Sequence, residues 1–546
     1  MPTFLNSNKN LFTFLFFLIF FLTGIYIFQD YGISIDEDNT RILGFLSLEH
    51  IFNIFFPESV SKINEIISID SDAHSGYPTS GIVFDLPMAF LEFIFQIEDS
   101  RQYYLLRHFF NFFIFFVSVF LFFQLIKKRY NSWSLACVGT MFLLISPRIF
   151  ANSFFNNKDI VFMSLFIIGL YTAINFLEKK NIKSVIIFSI VSSLLVNLRI
   201  FGLILPLLIF LFYTINILHD KNSKKEIIKP LLLLLILTPF FIILFWPYLW
   251  ENPIEHFLYV IKSSSSHSLG IYNYYLGQHF FSTNPPWHYS LVWISITTPL
   301  FYIILFPFGF IFILQRTIKR WLKTENNNSF IYFWRGNKEL QDLIFLLTFL
   351  IPILVSIYFG SISYDGWRHL YFIYPSFLLI SILGLHLIKV IFFRRKNNYL
   401  YILCIILITP TAFWMYKNHP FQYVYFNLLA GKNFNEKFEM DYSGVSNKNV
   451  LEYIIAIEDK KVRIHNLSTT DLNLSKKILK KEMRERITVV GDIKNADYIT
   501  NNYRDWNGKL KPTKFLIPKD FKILYEIKVD DVPINSIYKN YKEIAN

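Results

Sequence analysis

Long runs of apolar residues recur along the first three quarters of the chain, separated by polar loops. Each approaches the roughly 20 residues that an α-helix needs to cross a bilayer. The runs predict about eleven transmembrane helices, at Leu11–Phe28, Tyr104–Leu125, Trp133–Ile149, Ile160–Phe176, Ser184–Val196, Phe201–Leu218, Leu231–Leu249, Tyr289–Leu314, Leu343–Phe359, His369–Ile391 and Leu400–Tyr416. Around Asn197–Arg199, either one long broken helix or two short helices fit the pattern. The first run is too long and bulky for a signal peptide, so we expect it to be retained.

The charges between the runs alternate along the chain. Clusters rich in Lys and Arg occupy every second loop, at 127–129, 178–180, 221–225, 316–323 and 394–396. The other loops carry Asp36, Asp159 and Asp365. Because cytoplasmic loops are enriched in Lys and Arg, the N-terminus is predicted in the cytoplasm and the acidic loops outside. The heavy use of Phe, Ile, Lys and Asn hints at an AT-rich bacterial genome, and we expect the protein in the bacterial inner membrane.

Two loops on the predicted outer side are long. The first, about residues 30–103, contains the amphipathic stretches Ile42–Phe56 and Ile82–Ile97, which suit helices lying in the membrane interface. An alternative makes Ile82–Phe95 a further span, although Asp85 and Glu92 argue against deep insertion. The second loop, about residues 250–288, is rich in Ser, His, Tyr and Pro.

Beyond residue 417 the long apolar runs stop and charged residues become frequent. The sequence therefore divides into a transmembrane domain, 1–417, and a small extracytoplasmic α/β domain, 418–546. In the second domain the pattern predicts helices at Asn449–Glu458 and Leu474–Arg486, and strands at Val462–Leu467, Ala496–Asn501 and Lys522–Val529.

Composition excludes several classes of protein. With 53% hydrophobic residues among 546, a soluble domain is not expected. The net charge of +13 resides in short clusters between helices, so we expect no nucleic-acid partner. Two cysteines form no disulfide framework, and the spacing of His267, His279 and His288 matches no metal site.

Acidic residues near membrane exits are the first candidates for chemistry. Asp36 and Glu37 follow the first span, and Asp159 opens the fourth. Each could simply mark a helix end. They would also suit a glycosyl transfer, in which one carboxylate takes the acceptor's proton and a second assists.

Basic residues beside the same spans are candidates for binding a phosphate. The set comprises Arg107, Lys158, Arg199, Arg368 and His369. Arg199 interrupts an apolar run, where an arginine must reach water, a carboxylate or a phosphate. Arg107 could instead reach back to the interface, and Arg368 and His369 could belong to an interfacial belt.

Aromatic and polar residues ahead of two other spans could line a sugar or acceptor cavity. They are Trp287, His288, Tyr289, Tyr364 and Asp365. The aromatic rings could stack on a sugar or simply anchor their helices.

In this order, these residues resemble the phospholipid-carrier-dependent glycosyltransferases, GT-C relatives of the protein O-mannosyltransferases and aminoarabinose transferases. The resemblance rests on the Asp36-Glu37 pair and on seven further fragments, Tyr104–His108, Ser146–Asp159, Asn197–Gly202, Trp246–Trp250, Pro286–Tyr289, Tyr364–His369 and His419–Asn427. It implies a GT-C fold, a polyprenyl-phosphate sugar donor (hexosyl or pentosyl) and inversion outside the cytoplasm. It also implies that Asp36 is the base, Glu37 its neighbour, Asp159 a second acid, and Arg199 and Arg368 phosphate ligands.

Other functions fit the same pattern. A transporter or flippase of lipid-linked sugars also uses acids and broken helices, and a binding protein could recruit partners through its outer tail. For the transferase, the acceptor stays open among protein, lipid and glycan. We assign no certain cofactor, and a divalent metal remains an option.

Overall fold

The computed structural model describes residues 8–69, 81–219, 224–265, 270–322, 334–361, 363–393, 397–505, 507–511 and 514–541. The first 417 residues are mostly helical. Their helices are α1 (Lys9–Ile27), α2 (Glu37–Phe55), α3 (Val60–Ile69), α4 (Asp85–Ile94), α5 (Ser100–Tyr130), α6 (Trp133–Leu144), α7 (Pro147–Phe155), α8 (Asp159–Lys179), α9 (Ile182–Leu198), α10 (Ile204–His219), α11 (Lys224–Leu244), α12 (Pro253–Ser265), α13 (Tyr289–Thr297), α14 (Leu300–Leu322), α15 (Gly336–Tyr358), α16 (Tyr374–Ile388) and α17 (Asn397–Lys417). A hairpin of β1 (Tyr272–Tyr275) and β2 (Gln278–Phe281) precedes α13.

Seven helices in the described part of the chain are long and apolar enough to cross a membrane, or eight if the bent pair α6–α7 is one span. Three shorter apolar helices lie at Ile182–Leu198, Ile200–Ile215 and Ile228–Leu244. Together these elements match the predicted number of spans and confirm a multi-pass α-helical membrane protein.

Two predicted spans are broken, and a third segment, left open by the sequence, is resolved. Helices α6 and α7 bend by 67° at Ser146, and the run from Tyr289 divides at Thr298. Both residues precede a proline and have extended backbones, as expected from the clash of the proline ring with the preceding residue. The segment at Arg199 resolves into two short helices, because the backbone there is also extended.

The ends of the spans separate by charge. At one end, which we call the basic end, Arg129 and Arg316 both bind Asp342, at 2.7 and 3.0 Å, and Lys128 binds Glu178 at 2.5 Å. These contacts join α5, α8, α14 and α15. Asp159 begins α8 at the other, acidic end, roughly 31 Å away for a 21-residue helix.

Helices α14 and α16 approach closely through two glycines. A Cβ at Gly309 would lie 2.0 Å from the carbonyl oxygen of Ile380, and one at Gly384 would lie 2.2 Å from that of Leu305. Small residues at such crossings are typical of membrane helices, where close backbone contact replaces the hydrophobic effect.

The first predicted outer loop forms a helical layer at the acidic end. Helices α2, α3 and α4 share a small core that includes Phe45, Leu48 and Ile63. The alternative that Ile82–Phe95 crosses the membrane is wrong, because α4 has only 10 residues, and Asp85 and Glu92 are buried within this layer.

The C-terminal part contains α18 (Asn447–Ile457), α19 (Leu472–Lys476), α20 (Lys481–Arg484) and five strands, β3 (Val462–Asn466), β4 (Ile487–Val489), β5 (Tyr498–Asn501), β6 (Phe521–Val529) and β7 (Val532–Asn540). The sheet order is β4-β3-β5-β7-β6. Strand β3 runs parallel to β4 and β5, and β7 is antiparallel to β5 and β6. This sheet confirms the predicted α/β domain.

One helix of this domain was predicted wrongly. The segment Leu474–Arg486 is not a single helix, since α19 and α20 are separate short turns with β4 directly after them. The sequence also missed β4, which is too short to show alternation, and β7, whose Pro533 argues against a strand. Pro533 is tolerated because it pairs with Lys528 next to a shift in register.

Side chains tie the C-terminal domain to the acidic end of the helices. Lys477 binds Asp38 at 3.1 Å, and Lys448 donates to the carbonyl oxygen of Gln29 at 2.6 Å. Arg101 of α5 donates to the carbonyl oxygen of Ile478 at 2.8 Å. The domain therefore lies on the helical layer that carries Asp36.

Candidate active site

Arg368 joins three carboxylates at the acidic end of the bundle. Its Nη1 contacts Asp36 directly and lies 3.4 Å from Oδ2 of Asp159, while its Nη2 lies 3.1 Å from Oδ2 of Asp365. Arg199 pairs with the other oxygen of Asp159. The structure thus brings Asp36, Asp159, Arg199 and Arg368 together from four distant parts of the chain.

Breaks in the helices place these side chains. Asp36 is the residue before α2, and Asp159 begins α8, where the side chain of Asn156 caps its backbone N–H at 2.9 Å. Arg199 occupies the extended break after α9. Arg368 begins a 3-10 turn that leads into α16. Each residue sits at a chain reversal, where a charged side chain can point into a cavity and not into lipid.

Lys158, Tyr364 and His369 complete this group. Lys158 interacts electrostatically with Arg199, Asp36 and Asp159. Its pKa is lowered, mainly by burial and to a smaller extent by repulsion from Arg199. The Tyr364 ring lies 5.0 Å from the guanidinium of Arg368 and 4.6 Å from the ring of His369. Predicted phosphate ligands and predicted cavity residues therefore share one site.

A small cavity opens beside Asp36. It is lined by Ser34, Ile35, Asp36, Asn152, Phe155, Asn156, Asp365, Arg368, Tyr442 and Ser443. The side chain of Asp36 is 39% exposed, whereas that of Asp159 is 1% exposed. Asp36 is therefore the acid of this pair that an incoming group can reach.

Asp365 is also bound through its other carboxylate oxygen, by a residue that the sequence analysis did not single out. Arg504 of the C-terminal domain lies 2.5 Å from Oδ1 of Asp365 and also pairs with Glu439. Burial raises the pKa of Asp365, and it raises that of Glu439 to about 7, although Arg504 acts in the opposite direction on both. No periodicity or motif connects positions 365, 439 and 504, so only the fold reveals this group.

Glu37 points away from Asp36, into a second buried network. It accepts a hydrogen bond from the backbone N–H of Ser34 at 2.7 Å, and its other oxygen lies 3.0 Å from Nε2 of His108. Consecutive helical residues face different directions, so the adjacent acids separate. Burial raises the pKa of Glu37.

Arg107 lies in this second network too. It pairs with Glu92 at 3.1 Å, and Glu92 also pairs with Arg41 at 2.5 Å. Asp85 accepts from the amide of Asn157 at 2.9 Å, and burial raises its pKa to about 7. The network packs α2, α4 and α5 together behind the first site.

The three predicted cavity residues before and within α13 differ in their placement. Trp287 is 67% exposed. His288 lies 2.7 Å from the hydroxyl of Tyr275. Tyr289 is buried and its hydroxyl accepts from the backbone N–H of Gly366 at 3.1 Å. Only Tyr289 thus contacts the loop that carries Asp365.

Across the described residues, no group of three or more His, Cys, Asp or Glu side chains could hold a metal ion. Asp36, Asp159 and Asp365 each bind a guanidinium group. His267 lies outside the described residues.

Comparison with known proteins gives a distant likeness in structure. No protein-family model and no curated protein matches the sequence. ArnT from Cupriavidus metallidurans in the apo state is similar over 98% of this chain and 99% of that chain, with 11% identity and a TM-score of 0.45. ArnT bound to undecaprenyl phosphate is similar over 97% and 98%, with 10% identity and a TM-score of 0.44.

The Archaeoglobus fulgidus oligosaccharyltransferase in complex with Zn and sulfate is similar over 78% of this chain, with 11% identity and a TM-score of 0.41. The present chain spans about 60% of that protein's length. At these identities and TM-scores, no residue's role is transferred from either protein.

Proposed function

We propose that this protein is a membrane glycosyltransferase that moves a sugar from a polyprenyl-phosphate carrier to an acceptor on the outer side of the bacterial inner membrane. The observation that carries the proposal is the ion pair of Arg368 with both Asp36 and Asp159, flanked by Arg199. It sets an accessible carboxylate against a cluster of cations, which is what the reaction requires.

In the proposed step, Asp36 takes the proton from an acceptor hydroxyl. The acceptor oxygen forms a bond to the anomeric carbon while the bond from that carbon to the phosphate oxygen breaks. The configuration inverts because attack and departure occur on opposite faces of the sugar. Polyprenyl phosphate leaves with the electron pair of the broken bond.

The basic residues stabilise that leaving group. Arg199, Arg368 and Lys158 converge on Asp159, which keeps three cations close together in a buried place. Negative charge grows on the phosphate as the bond breaks, so contacts that strengthen at this point lower the barrier. Asp159 is best placed to orient these cations, and Glu37 to fix the turn behind Asp36.

The test uses a strain that lacks this chain, complemented with single variants. Asp36→Asn keeps the shape of the side chain but cannot accept the proton, so transfer should fall by about 10²-fold or more. Asp38→Asn is the matched control, because Asp38 lies two residues away and binds Lys477 and Tyr104. Transfer is read by mass spectrometry of the lipids and surface glycans.

Equal transfer by Asp36→Asn and the wild type would refute the proposed base. The transporter alternative makes a different prediction, namely accumulation of lipid-linked sugar in sealed vesicles without a new glycosidic bond. If the lipid-linked sugar accumulates in this way, and equally with Asp36→Asn, the transporter would be favoured over the transferase.

A further inference from the structure

Arg504 brings the C-terminal domain into contact with the proposed active site. It follows β5, its side chain is 1% exposed, and its Nη2 lies 2.5 Å from Oδ1 of Asp365. The opposite oxygen of Asp365 lies 3.1 Å from Nη2 of Arg368, whose Nη1 contacts Asp36. A continuous chain of ion pairs thus runs from the soluble domain to the proposed base.

We propose that Arg504 is a positioning residue, which holds Asp365 and thereby fixes the guanidinium plane of Arg368 and the carboxylate of Asp36. The inference rests on the proposed function and extends it to the C-terminal domain, whose role the sequence leaves open. The domain is then a component of the active site, required for the chemistry itself.

The backbone on both sides of the Asp365–Arg504 pair is held in an uncommon conformation. Asp365 has φ +56° and Tyr503, which precedes Arg504, has φ +63°. Residues other than glycine rarely adopt this left-handed region, and they persist there when the surroundings fix them. Asn273 accepts from the backbone N–H of Asp365 at 3.2 Å and supplies part of that restraint. This restraint fixes the direction in which the Asp365 side chain leaves the backbone, as a positioning contact requires.

The geometry favours an arginine over a lysine at position 504. One nitrogen of its planar guanidinium meets Asp365 and another meets Glu439, so a single side chain fixes two buried carboxylates. A lysine would supply the charge as a single point and would fix their direction less well. Loss of the charge would remove the cation that the two buried carboxylates share and would leave Asp365 with Arg368 alone.

The test measures release of undecaprenyl phosphate by membranes that are supplied with the lipid extract of the host strain. The variants are Arg504→Met, Arg504→Lys, Asp365→Asn and the double variant Arg504→Met/Asp365→Asn. Arg463→Met is the matched control, because Arg463 lies in the same domain, is exposed, and pairs with Asp497 at 2.7 Å. Binding of undecaprenyl phosphate by the purified proteins is measured by native mass spectrometry.

We expect Arg504→Met and Asp365→Asn each to lower the initial rate about tenfold or more, with a change in carrier affinity below about threefold. The double variant should be no slower than the slower single variant, because both act through the same contact. Arg504→Lys should restore part of the rate, and Arg463→Met should stay within about twofold of the wild type.

Additive losses in the double variant, or losses that only follow the amount of folded protein, would overturn the proposal. An unchanged rate in Arg504→Met would do the same and leave the proposed function intact. If Arg504→Met does not fold, the release rates of Asp365→Asn and Arg504→Lys test the positioning role in its place. If the wild type releases no undecaprenyl phosphate, the proposed function fails, and the positioning role fails with it.

Discussion

Asp36 and Arg368, 332 positions apart in the sequence, form a direct ion pair at the acidic end of the helix bundle. The same guanidinium reaches Asp159 and Asp365, so one side chain organises three carboxylates. In the proposed reaction this arginine both orients the base and faces the leaving phosphate. The two tasks require a planar group with several fixed donors.

Arg368→Lys tests that requirement. A lysine keeps the positive charge but cannot bridge three carboxylates, so we expect the transfer rate to fall about tenfold or more. The rate is measured as release of polyprenyl phosphate in membranes. Arg320→Lys is a control at the basic end, where Arg320 pairs with Glu339 at 2.7 Å. Full activity of Arg368→Lys would mean that charge alone is sufficient at this position.

The sequence predicts most of this fold because its signals are local. The apolar runs indicate the spans and their number, and the change in composition after them indicates the C-terminal α/β domain. The breaks at Ser146 and Thr298 were missed, because a long apolar run reads as one continuous helix. In each run the residue before a proline is extended, so one helix ends there and the next begins. Strand β7 was missed because Pro533 argues against a strand, and the register shift beside its partner Lys528 that accommodates it is not visible in the sequence.

Four charged residues that meet in the candidate site were already candidates from the sequence, whereas the directions of their side chains were not predicted. Asp36, Asp159, Arg199 and Arg368 could be chosen because charged residues at membrane boundaries are costly. The separation of Asp36 from Glu37 depends on the path of the chain at the start of α2, and the part played by Arg504 depends on domain docking. No local sequence pattern indicates either the separation of the two acids or the contact of Arg504 with the site.

Glu37→Ala separates a structural contribution from a catalytic one. Glu37 is fully buried and joins Ser34 to His108, so alanine, which removes both contacts, should lower the free energy of unfolding by about 1–3 kcal/mol. The rate per folded molecule should remain at least about tenfold above that of Asp36→Asn. Thermal unfolding in detergent and the release assay measure the two effects. Equal inactivation of both variants, with unchanged stability, would instead place Glu37 in the chemistry.

Stability should depend on pH through two buried carboxyl groups. The pKa of Glu439 and that of Asp85 are raised to about 7 by burial, so the folded state favours the protonated forms. Their stabilising contribution is complete below the unfolded pKa of about 4 and is lost as the pH rises through 7. The free energy of unfolding should therefore fall by up to about 1.4 kcal/mol per pH unit for each group.

Melting temperatures measured in detergent between pH 5 and 8 check this dependence. The wild type should melt at progressively lower temperature as the pH increases. Glu439→Gln, which mimics the protonated acid, should flatten the curve, and Asp85→Asn should do so independently. A curve for Glu439→Gln as steep as that of the wild type would contradict the assignment, because this carboxyl group would then not take up a proton on folding.

The orientation of the bundle is tested by cysteine labelling, since the acidic end must face outward for a lipid-linked donor to meet an outer acceptor. Lys460 is exposed in the C-terminal domain, and Lys319 is exposed at the basic end. In a background with Cys137 and Cys404 replaced by alanine, Lys460→Cys should react with a membrane-impermeant maleimide in intact cells. Lys319→Cys should react only after permeabilisation. The reverse pattern would place Asp36 in the cytoplasm, where an outer acceptor could not reach it.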